Sequence, residues 1–312
     1  MINRRTFVAT SASFTISVAA AADTVPPQHA GLLNRYAYKP SWQVAGVDYA
    51  VGPRPGTIFK TPASNNLPAG VSFSSTQLTI NGNNVTLDGY DCSNFAIVVF
   101  GANCALTNCK FNGINLGGVQ GAVISGALSS SNLYIGYCIV DGSNRAGFVI
   151  EMEGTGSLTV ENSWVKNGAS DLIGCNGNNP KNIYIRNNLM EQAGMVAGAH
   201  GDYLQVYGPT IDNTVITGNT AIQNGGTTQG FFADNTKRLE IGNNVMIGSV
   251  SYWVSASGPG TKPGVFQGPA TIHDNYFDVR NAYGFAYGPA FQGALPKFTH
   301  NVNMVTGELV QN

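Results

Sequence analysis

The sequence predicts an all-β chain wound into a parallel β-helix of about nine coils. Three observations support this fold. The 312 residues include 39 glycines and many asparagines, which disfavour helix interiors. A short motif recurs with a period near 25 residues, and such a period, with Gly-rich turns between short strands, is typical of a solenoid. One position of the motif is Asn in five successive copies.

The repeated motif is an aliphatic or aromatic residue followed two and three positions later by Asn-like residues. Its nine copies begin at Leu87, Leu106, Ile135, Val160, Ile185, Ile216, Ile241, Ile272 and Phe298. A single coil cannot bury its inner face, so we expect neighbouring coils to stack into one continuous core. Equivalent positions should then lie about 4.8 Å apart, the spacing between paired strands.

The last position of the motif predicts a column of small polar residues inside the solenoid. From the second copy onward it holds Cys109, Cys138, Ser163, Asn188, Asn219, Asn244, Asn275 and Asn301. Stacked Asn side chains can donate to one another and so satisfy buried amides. For Cys109 and Cys138 we expect stacked thiols, with a disulfide as the alternative. None of the five cysteines has the C-x-x-C spacing of a metal or redox site.

The segments "NNVTLDGYD", "LTNCKFNG", "IYIRNNLMEQAG" and "LEIGNNVMIG" resemble the rungs of right-handed parallel β-helix proteins of the pectate-lyase-like superfamily. The resemblance covers roughly residues 70 to 305. It implies a right-handed helix and favours a carbohydrate ligand. The superfamily also contains hydrolases, epimerases, phage tailspikes and non-catalytic adhesins, so the resemblance leaves the reaction open.

The two ends of the chain depart from the repeat. Residues 1–22 resemble an export signal, with a basic start, a mildly apolar stretch and three alanines before Asp23. The run from Asn3 to Val8 resembles a twin-arginine signal, so we expect a periplasmic or extracellular protein. Residues 23–69 are expected to form a strand-and-loop cap, in which 41–52 covers the N-terminal end of the core. The β-helix domain then spans 70–312, and its last coil is covered by the tail or by another subunit.

Composition excludes two classes of partner. The net charge is −1 and the pI is about 6.4, whereas nucleic-acid binding requires a basic surface. No apolar run reaches 18 residues, so no membrane span is expected.

The clearest candidate site is the segment "AHGDYLQVY", at residues 199–207. Its rung is six residues longer than the 25-residue rungs, and the surplus precedes His200. Leu204 and Val206 should face the core, so strand alternation predicts that Tyr203, Gln205 and Tyr207 face outward. The same alternation would bury Asp202. We expect Asp202 on the preceding turn instead, because an unpaired buried carboxylate is costly.

A second predicted strand follows each copy of the motif. Stacking these strands from coil to coil places Asp171 beside Asp202. It also places Gln205 in a column with Glu151, Gly174, Asp234 and Ser255. Two adjacent carboxylates would raise one pKa or bind a hard cation. Asp171, Asp202 and Glu151 are therefore predicted ligands of a calcium ion, the only cofactor expected. The alternative is that the acids cap turns.

We expect β-elimination of an acidic, uronate-containing polysaccharide. This reaction needs a base, a proton donor and a group that neutralises the substrate carboxylate. His200 or Lys166 is the predicted base and Tyr203 the donor; Arg145, Arg186 or calcium would neutralise the carboxylate. Gln205 and Tyr207 would bind sugar. Polygalacturonase-type hydrolases carry a similar Asp-x-x-Asp turn, but the second acid is Gln205 here.

Two alternatives stay open at this point. A glycoside hydrolase would use Asp171 and Asp202 as acid and base. A non-catalytic polysaccharide-binding or surface protein would need neither, and the low charge of the chain favours it.

Overall fold

The computed structural model describes residues 26–116, 121–176, 180–206, 210–226, 228–260, 264–278, 281–286 and 296–310. Almost all regular structure in these residues is β. The one helical element of this described part is a short 3-10 helix, η1 (Leu32–Arg35), ahead of the first strand. The predicted signal at residues 1–22 and Tyr207 lie outside the described residues.

The described residues contain twenty-eight strands, numbered in chain order, which form three long sheets. Each full coil passes from sheet 1 to sheet 2 to sheet 3. Sheet 1 contains β1 (Val71–Phe73), β2 (Gln77–Ile80), β5 (Ala96–Val99), β8 (Ala122–Gly126), β11 (Phe148–Met152), β14 (Asp171–Cys175), β17 (Gly201–Val206), β20 (Thr228–Ala233) and β23 (Val254–Ala256). Sheet 2 contains β3 (Thr86–Asp88), β6 (Ala102–Thr107), β9 (Ser131–Gly136), β12 (Thr155–Glu161), β15 (Pro180–Arg186), β18 (Asn213–Thr217), β21 (Leu239–Gly242), β24 (Ala270–His273) and β26 (Lys297–Thr299). Sheet 3 contains β4 (Asp91–Cys92), β7 (Lys110–Asn112), β10 (Ile139–Asp141), β13 (Trp164–Lys166), β16 (Leu189–Glu191), β19 (Thr220–Gln223), β22 (Val245–Gly248), β25 (Tyr276–Phe277), β27 (Asn301–Asn303) and β28 (Leu309–Val310).

Strand pairing confirms the predicted parallel β-helix. All nine strands of sheet 2 pair in parallel, each with its equivalents one coil before and after. Antiparallel pairs occur at the two ends, where β1 pairs with β2 and β28 folds back on β27. The tail, as far as residue 310, therefore covers the last parallel strand of sheet 3, β27, by pairing with it through β28.

The repeated motif forms the turn from sheet 2 to sheet 3. Its aliphatic residue is buried, and the residue two positions later adopts a left-handed conformation that Gly and Asn tolerate best. The left-handed residues are Gly89, Asn108, Tyr137, Asn162, Asn187, Gly218, Asn243, Asp274 and His300. The turn thus explains why Asn-like residues recur there.

The following residue builds the predicted Asn ladder. The side-chain Nδ2 of Asn188 donates to Asn219 Oδ1 at 3.0 Å, and Asn219 donates to Asn244 at 3.0 Å. The series continues from Asn244 to Asn275 at 2.9 Å and from Asn275 to Asn301 at 2.8 Å. Each Nδ2 also donates to a backbone carbonyl. All five side chains are buried with both amide atoms bonded.

The cysteines extend the interior rather than crosslink it. All five are buried free thiols. Cys138 Sγ lies 3.4 Å from the carbonyl oxygen of Leu106, and burial raises its pKa well above the usual value. The stacked-thiol expectation for Cys109 and Cys138 therefore holds, and the disulfide alternative does not.

Residues 26–60, which we call the strap, lie along the outer face of sheet 3. Tyr36 donates to Asp278 at 2.8 Å, in one of the last coils. The carbonyl oxygen of Ala45 accepts from Thr220 at 2.7 Å, and the Lys60 N–H donates to the carbonyl oxygen of Gly89 at 2.8 Å, in the first coil. The strap thus spans the solenoid lengthwise.

This position differs from the expectation that residues 41–52 cover the N-terminal end of the core. Val44 and Val47 instead pack with Val245 and Ile247 of sheet 3. Apolar side chains on the outer face of that sheet provide a larger surface to bury than the end of one coil does. Leu67 and Val71 pack against the core at the N-terminal end instead.

Candidate functional site

The predicted acid pair lies on sheet 1, where β14 and β17 run side by side. Ile173 pairs with Leu204 and Gly174 with Gln205, which places Asp171 beside Asp202. The backbone N–H of Asp202 donates to Asp171 Oδ1 at 2.7 Å. The predicted adjacency of the two acids is therefore confirmed.

Both carboxyl groups are almost fully buried, with exposed fractions of 2% for Asp171 and 1% for Asp202. Burial raises the pKa of Asp171 to about 7, against the lowering effect of the Asp202 N–H. Burial, and then the charge of Asp171, raise the pKa of Asp202 to about 8. The pair therefore retains a proton near neutral pH, because two close carboxylates cannot both ionise cheaply.

A polar network joins Asp202 to the surface. Its Oδ2 accepts from Gln205 Nε2 at 3.2 Å and lies 3.7 Å from Nδ1 of His200. The imidazole of His200 is 55% exposed, and its Nε2 contacts Gln229, which accepts from the Tyr252 hydroxyl. Within the described residues, the buried Oδ1 of Asp202 has no hydrogen-bond partner. An orphaned carboxyl oxygen of this kind is costly unless a ligand or proton uses it.

The longer rung explains how His200 reaches this position. Residues 192–200 fold back on the turn of the preceding coil, with Gly194 N–H donating to the carbonyl oxygen of Ser170 at 2.7 Å and Met195 N–H to that of Gly168 at 3.1 Å. The hydroxyl of Ser170 then donates to the carbonyl oxygen of His200 at 2.6 Å. The surplus residues therefore hold the histidine against the acid pair.

The expected orientation of Tyr203 is wrong. Tyr203 is fully buried, packs edge-on against Phe231 and Trp253, and donates to Gln223 Oε1 at 2.9 Å. Strand alternation fails here because Tyr203 and Leu204 are buried in succession. Leu172 with Ile173 repeats this pattern one coil earlier. Asp202 lies within β17, where it pairs with Gln229, rather than on the preceding turn as expected.

The predicted column around Gln205 needs one correction. Gln205 pairs with Gly174 and Phe232, and Phe232 pairs with Ser255. The sequence predicts Asp234 at the position that Phe232 occupies, but Asp234 lies two residues later, directly after the end of β20. A two-residue shift leaves the inward and outward faces unchanged, so the hydrophobic pattern cannot detect it.

The predicted cations are not brought to the acid pair. Lys166 lies on sheet 3, 3.6 Å from Asp141 and over the ring of Trp164. Arg186 lies on sheet 2, with its guanidinium 4.5 Å from the ring centre of Tyr184. Arg145 is exposed in the turn before β11. None of the nine described strands of sheet 1 contains Lys or Arg.

The predicted calcium ligands do not converge either. Asp171 pairs with Phe148 of β11, whereas Glu151 pairs with Gly174. Glu151 is thus displaced by three residues, about 10 Å, along the strand direction. Within the described part of the chain, no three His, Cys, Asp or Glu side chains are grouped to hold a metal ion. The donor set of this face therefore does not fit calcium.

Two residues of the site were not identified from the sequence. Gln229 contacts His200 from the next coil, and Tyr252 contacts Gln229 from the coil after that. The only available signal was the repeat itself. Correct register across β17 and β20 pairs Asp202 with Gln229 and so would have found the first of them.

Comparisons of the chain with protein-family models, curated proteins and solved structures gave no match. Among the described residues, no helix has both the length and the apolar character needed to cross a bilayer.

Proposed function

We propose that this is an exported, carbohydrate-active enzyme of the pectate-lyase-like kind that cleaves glycosidic bonds at the outer face of sheet 1. The observation that carries the proposal is the buried Asp171–Asp202 pair, which retains one proton near neutral pH. Acid–base cleavage of a glycosidic bond requires one carboxylic acid and one carboxylate. Buried acids with raised pKa values also concentrate at functional sites.

The contacts of the two acids support a division of roles between them. Asp171 accepts a backbone N–H, which favours its ionised form, while Asp202 carries the higher pKa. Asp202 would then protonate the glycosidic oxygen, and Asp171 would accept a proton from the attacking water. After cleavage Asp171 holds a proton and Asp202 is ionised. His200, next to Asp202 and open to solvent, would pass a proton from solvent to Asp202 while Asp171 releases its proton to water.

Access to Asp202 requires a local movement. Its Oδ2 lies beneath Gln205 and His200, so a sugar can reach the acid only when one of these side chains turns aside. Both are suited to the task, because an amide and an imidazole can exchange the carboxyl for sugar hydroxyls without leaving a polar group unpaired.

Hydrolysis fits this face better than β-elimination. A lyase must neutralise the substrate carboxylate, and the described strands of sheet 1 provide no cation for it. The second candidate remains a lyase acting on a uronate polysaccharide. The exposure of His200, which suits a base for the C5 proton, favours it.

The test is incubation of the mature protein with neutral and uronate-containing polysaccharides, following reducing sugar and the ultraviolet absorbance of unsaturated uronate in parallel. We expect reducing sugar without unsaturated product, and a loss of about 100-fold or more in Asp202→Asn and Asp171→Asn. Asp212→Asn, an acid paired with Lys237 away from the site, serves as the control.

Each other outcome has a defined meaning. Unsaturated product that disappears in His200→Ala would replace hydrolysis with elimination. Binding without either product, unchanged in Asp202→Asn, would establish a polysaccharide-binding protein and contradict the catalytic roles.

Calcium serves as a separate test of the same site. Because Glu151 lies apart from the acid pair, we propose that neither role depends on the ion. Cleavage should persist unchanged after dialysis against a chelator, and restoration of lost activity by calcium alone would contradict this.

A further inference from the structure

A cavity of about 430 Å³ lies between the strap and sheet 3, and it is separate from the acid pair on sheet 1. Its walls include Gln28, Arg54 and Phe59 of the strap with Lys110 and Trp164 of the sheet. A second cavity of about 500 Å³ shares Arg54 and three prolines with it. Both volumes fall in the range of small-molecule sites.

The first cavity is cationic. Arg54 and Lys110 line it and no acidic residue does. Within the described residues, neither forms an ion pair within 4 Å; the closest link is Asn108, which accepts from Arg54 and donates to Asp88. In a chain of 16 basic and 17 acidic residues, two such cations in one cavity favour an anionic occupant.

The cations are also held in place by aromatic rings. The guanidinium of Arg54 lies 3.6 Å from the ring centre of Tyr137, and Lys110 Nζ lies 4.2 Å from that of Phe59. Such contacts restrict long side chains before a ligand arrives, which reduces the entropy lost on binding. Trp164 adds a half-buried indole. Lys166 lies over one of its faces, so the apolar face of a sugar ring would pack on the other.

We propose that this cavity binds a uronate sugar, with its carboxylate on Lys110 and Arg54 and its ring against Trp164. The choice of a sugar rests on the proposed function, whereas the requirement for an anion follows from the cavity itself. The site would hold an acidic product or chain end on sheet 3, apart from the acid pair of sheet 1.

The chain provides a direct probe, because it contains three tryptophans, Trp42, Trp164 and Trp253. Their indole N–H signals can be followed by NMR in protein labelled at tryptophan, with Trp164→Phe used for assignment. The ligands are D-glucuronate and D-glucose, which differ only at C6. We expect glucuronate to shift the Trp164 signal and glucose to leave it unchanged.

Charge-removing variants complete the test. Lys110→Ala and Arg54→Gln should each weaken glucuronate binding about tenfold, the loss of a charge-assisted hydrogen bond. Lys181→Ala, an exposed lysine of sheet 2, should have no effect. An unmoved Trp164 signal, an equal shift with glucose, or unchanged affinity in Lys110→Ala and Arg54→Gln would overturn the proposal.

Asp202→Asn separates this proposal from the proposed function. The cavity should bind glucuronate equally well in that variant, even if no polysaccharide is cleaved by the unmodified protein. Loss of the Trp164 shift in Asp202→Asn would instead assign uronate binding to sheet 1 and contradict the cavity.

Discussion

Two buried polar columns run through the same coils of this solenoid, and they differ in how completely their hydrogen bonds are made. The Asn ladder bonds both atoms of every amide to the coils above and below. The Asp171–Asp202 pair has the same stacking distance, yet its burial raises both pKa values and leaves Asp202 Oδ1 without a partner in the described residues. An amide both donates and accepts, so stacked amides can bond to one another through any number of coils, whereas a carboxylate only accepts. A column of the first kind stabilises the fold, whereas one of the second kind costs stability, and the proposed function gives it a catalytic role.

Breaking the ladder should have the largest effect. Asn219→Ala removes four hydrogen bonds, two donated and two accepted by the side chain. Buried polar groups of Asn188 and Asn244 then lose these partners. We expect the free energy of unfolding to fall by about 3 to 5 kcal/mol, measured by urea denaturation.

The matched control is Asn132→Gly, in an exposed ladder in which Asn132 donates to Asn103 and accepts from Ser157. Gly keeps its left-handed conformation, so the loss in the free energy of unfolding should stay below about 1 kcal/mol, as for other surface substitutions. Equal losses in the two variants would contradict a stabilising role for burial in the ladder.

The acid pair should make stability fall as pH rises. Its folded pKa values, about 7 and about 8, exceed the unfolded value of 3.8, so the folded chain binds more protons between pH 4 and 8. Stability is then highest below pH 4 on this account and declines through pH 8. Asp202→Asn should remove much of the decline, on the order of 3 kcal/mol between pH 5 and pH 9.

Urea unfolding at several pH values checks this slope. Asp212→Asn is the control of opposite sign, because the hydrogen bond from Lys237 lowers the pKa of Asp212. Its contribution is present above the unfolded pKa and is lost as pH falls. A slope in Asp202→Asn identical to that of the unmodified protein would show that the pair does not share a proton.

Tyr203 tests whether a buried polar group next to the acid pair serves stability or cleavage. It lies next to Asp202 in sequence but faces the core, with its hydroxyl bonded to Gln223. Tyr203→Phe should cost about 1 kcal/mol of stability and leave cleavage within about twofold. A loss of activity comparable to that of Asp202→Asn would restore the proton-donor role predicted from sequence.

Arg186→Ala should have the smallest effect. The guanidinium stacks on Tyr184 on sheet 2, away from the acids of sheet 1. We expect stability to change by less than about 0.5 kcal/mol and activity to stay unchanged. A tenfold rise in KM would indicate that substrate crosses from sheet 1 to sheet 2.

The sequence was sufficient for the fold because every coil repeats the same local requirements. The buried apolar residue and the left-handed turn recur in nine copies, and the turn is imposed by local sterics. The inward Asn recurs in the last five copies, where each side chain bonds to the equivalent Asn one coil away. The adjacency of Asp171 and Asp202 followed for the same reason, since the repeat length fixes which strands are neighbours.

Only the tertiary structure decided which way the site residues face and which charges they meet. The burial of Tyr203 and Leu204 in succession and the two-residue offset between Gln205 and Asp234 depend on packing between coils. So does the position of Lys166 and Arg186 on other sheets. The strap likewise packs on the apolar outer face of sheet 3 rather than over the end of the core. Periodicity records which residues repeat, whereas long-range packing determines what each of them contacts.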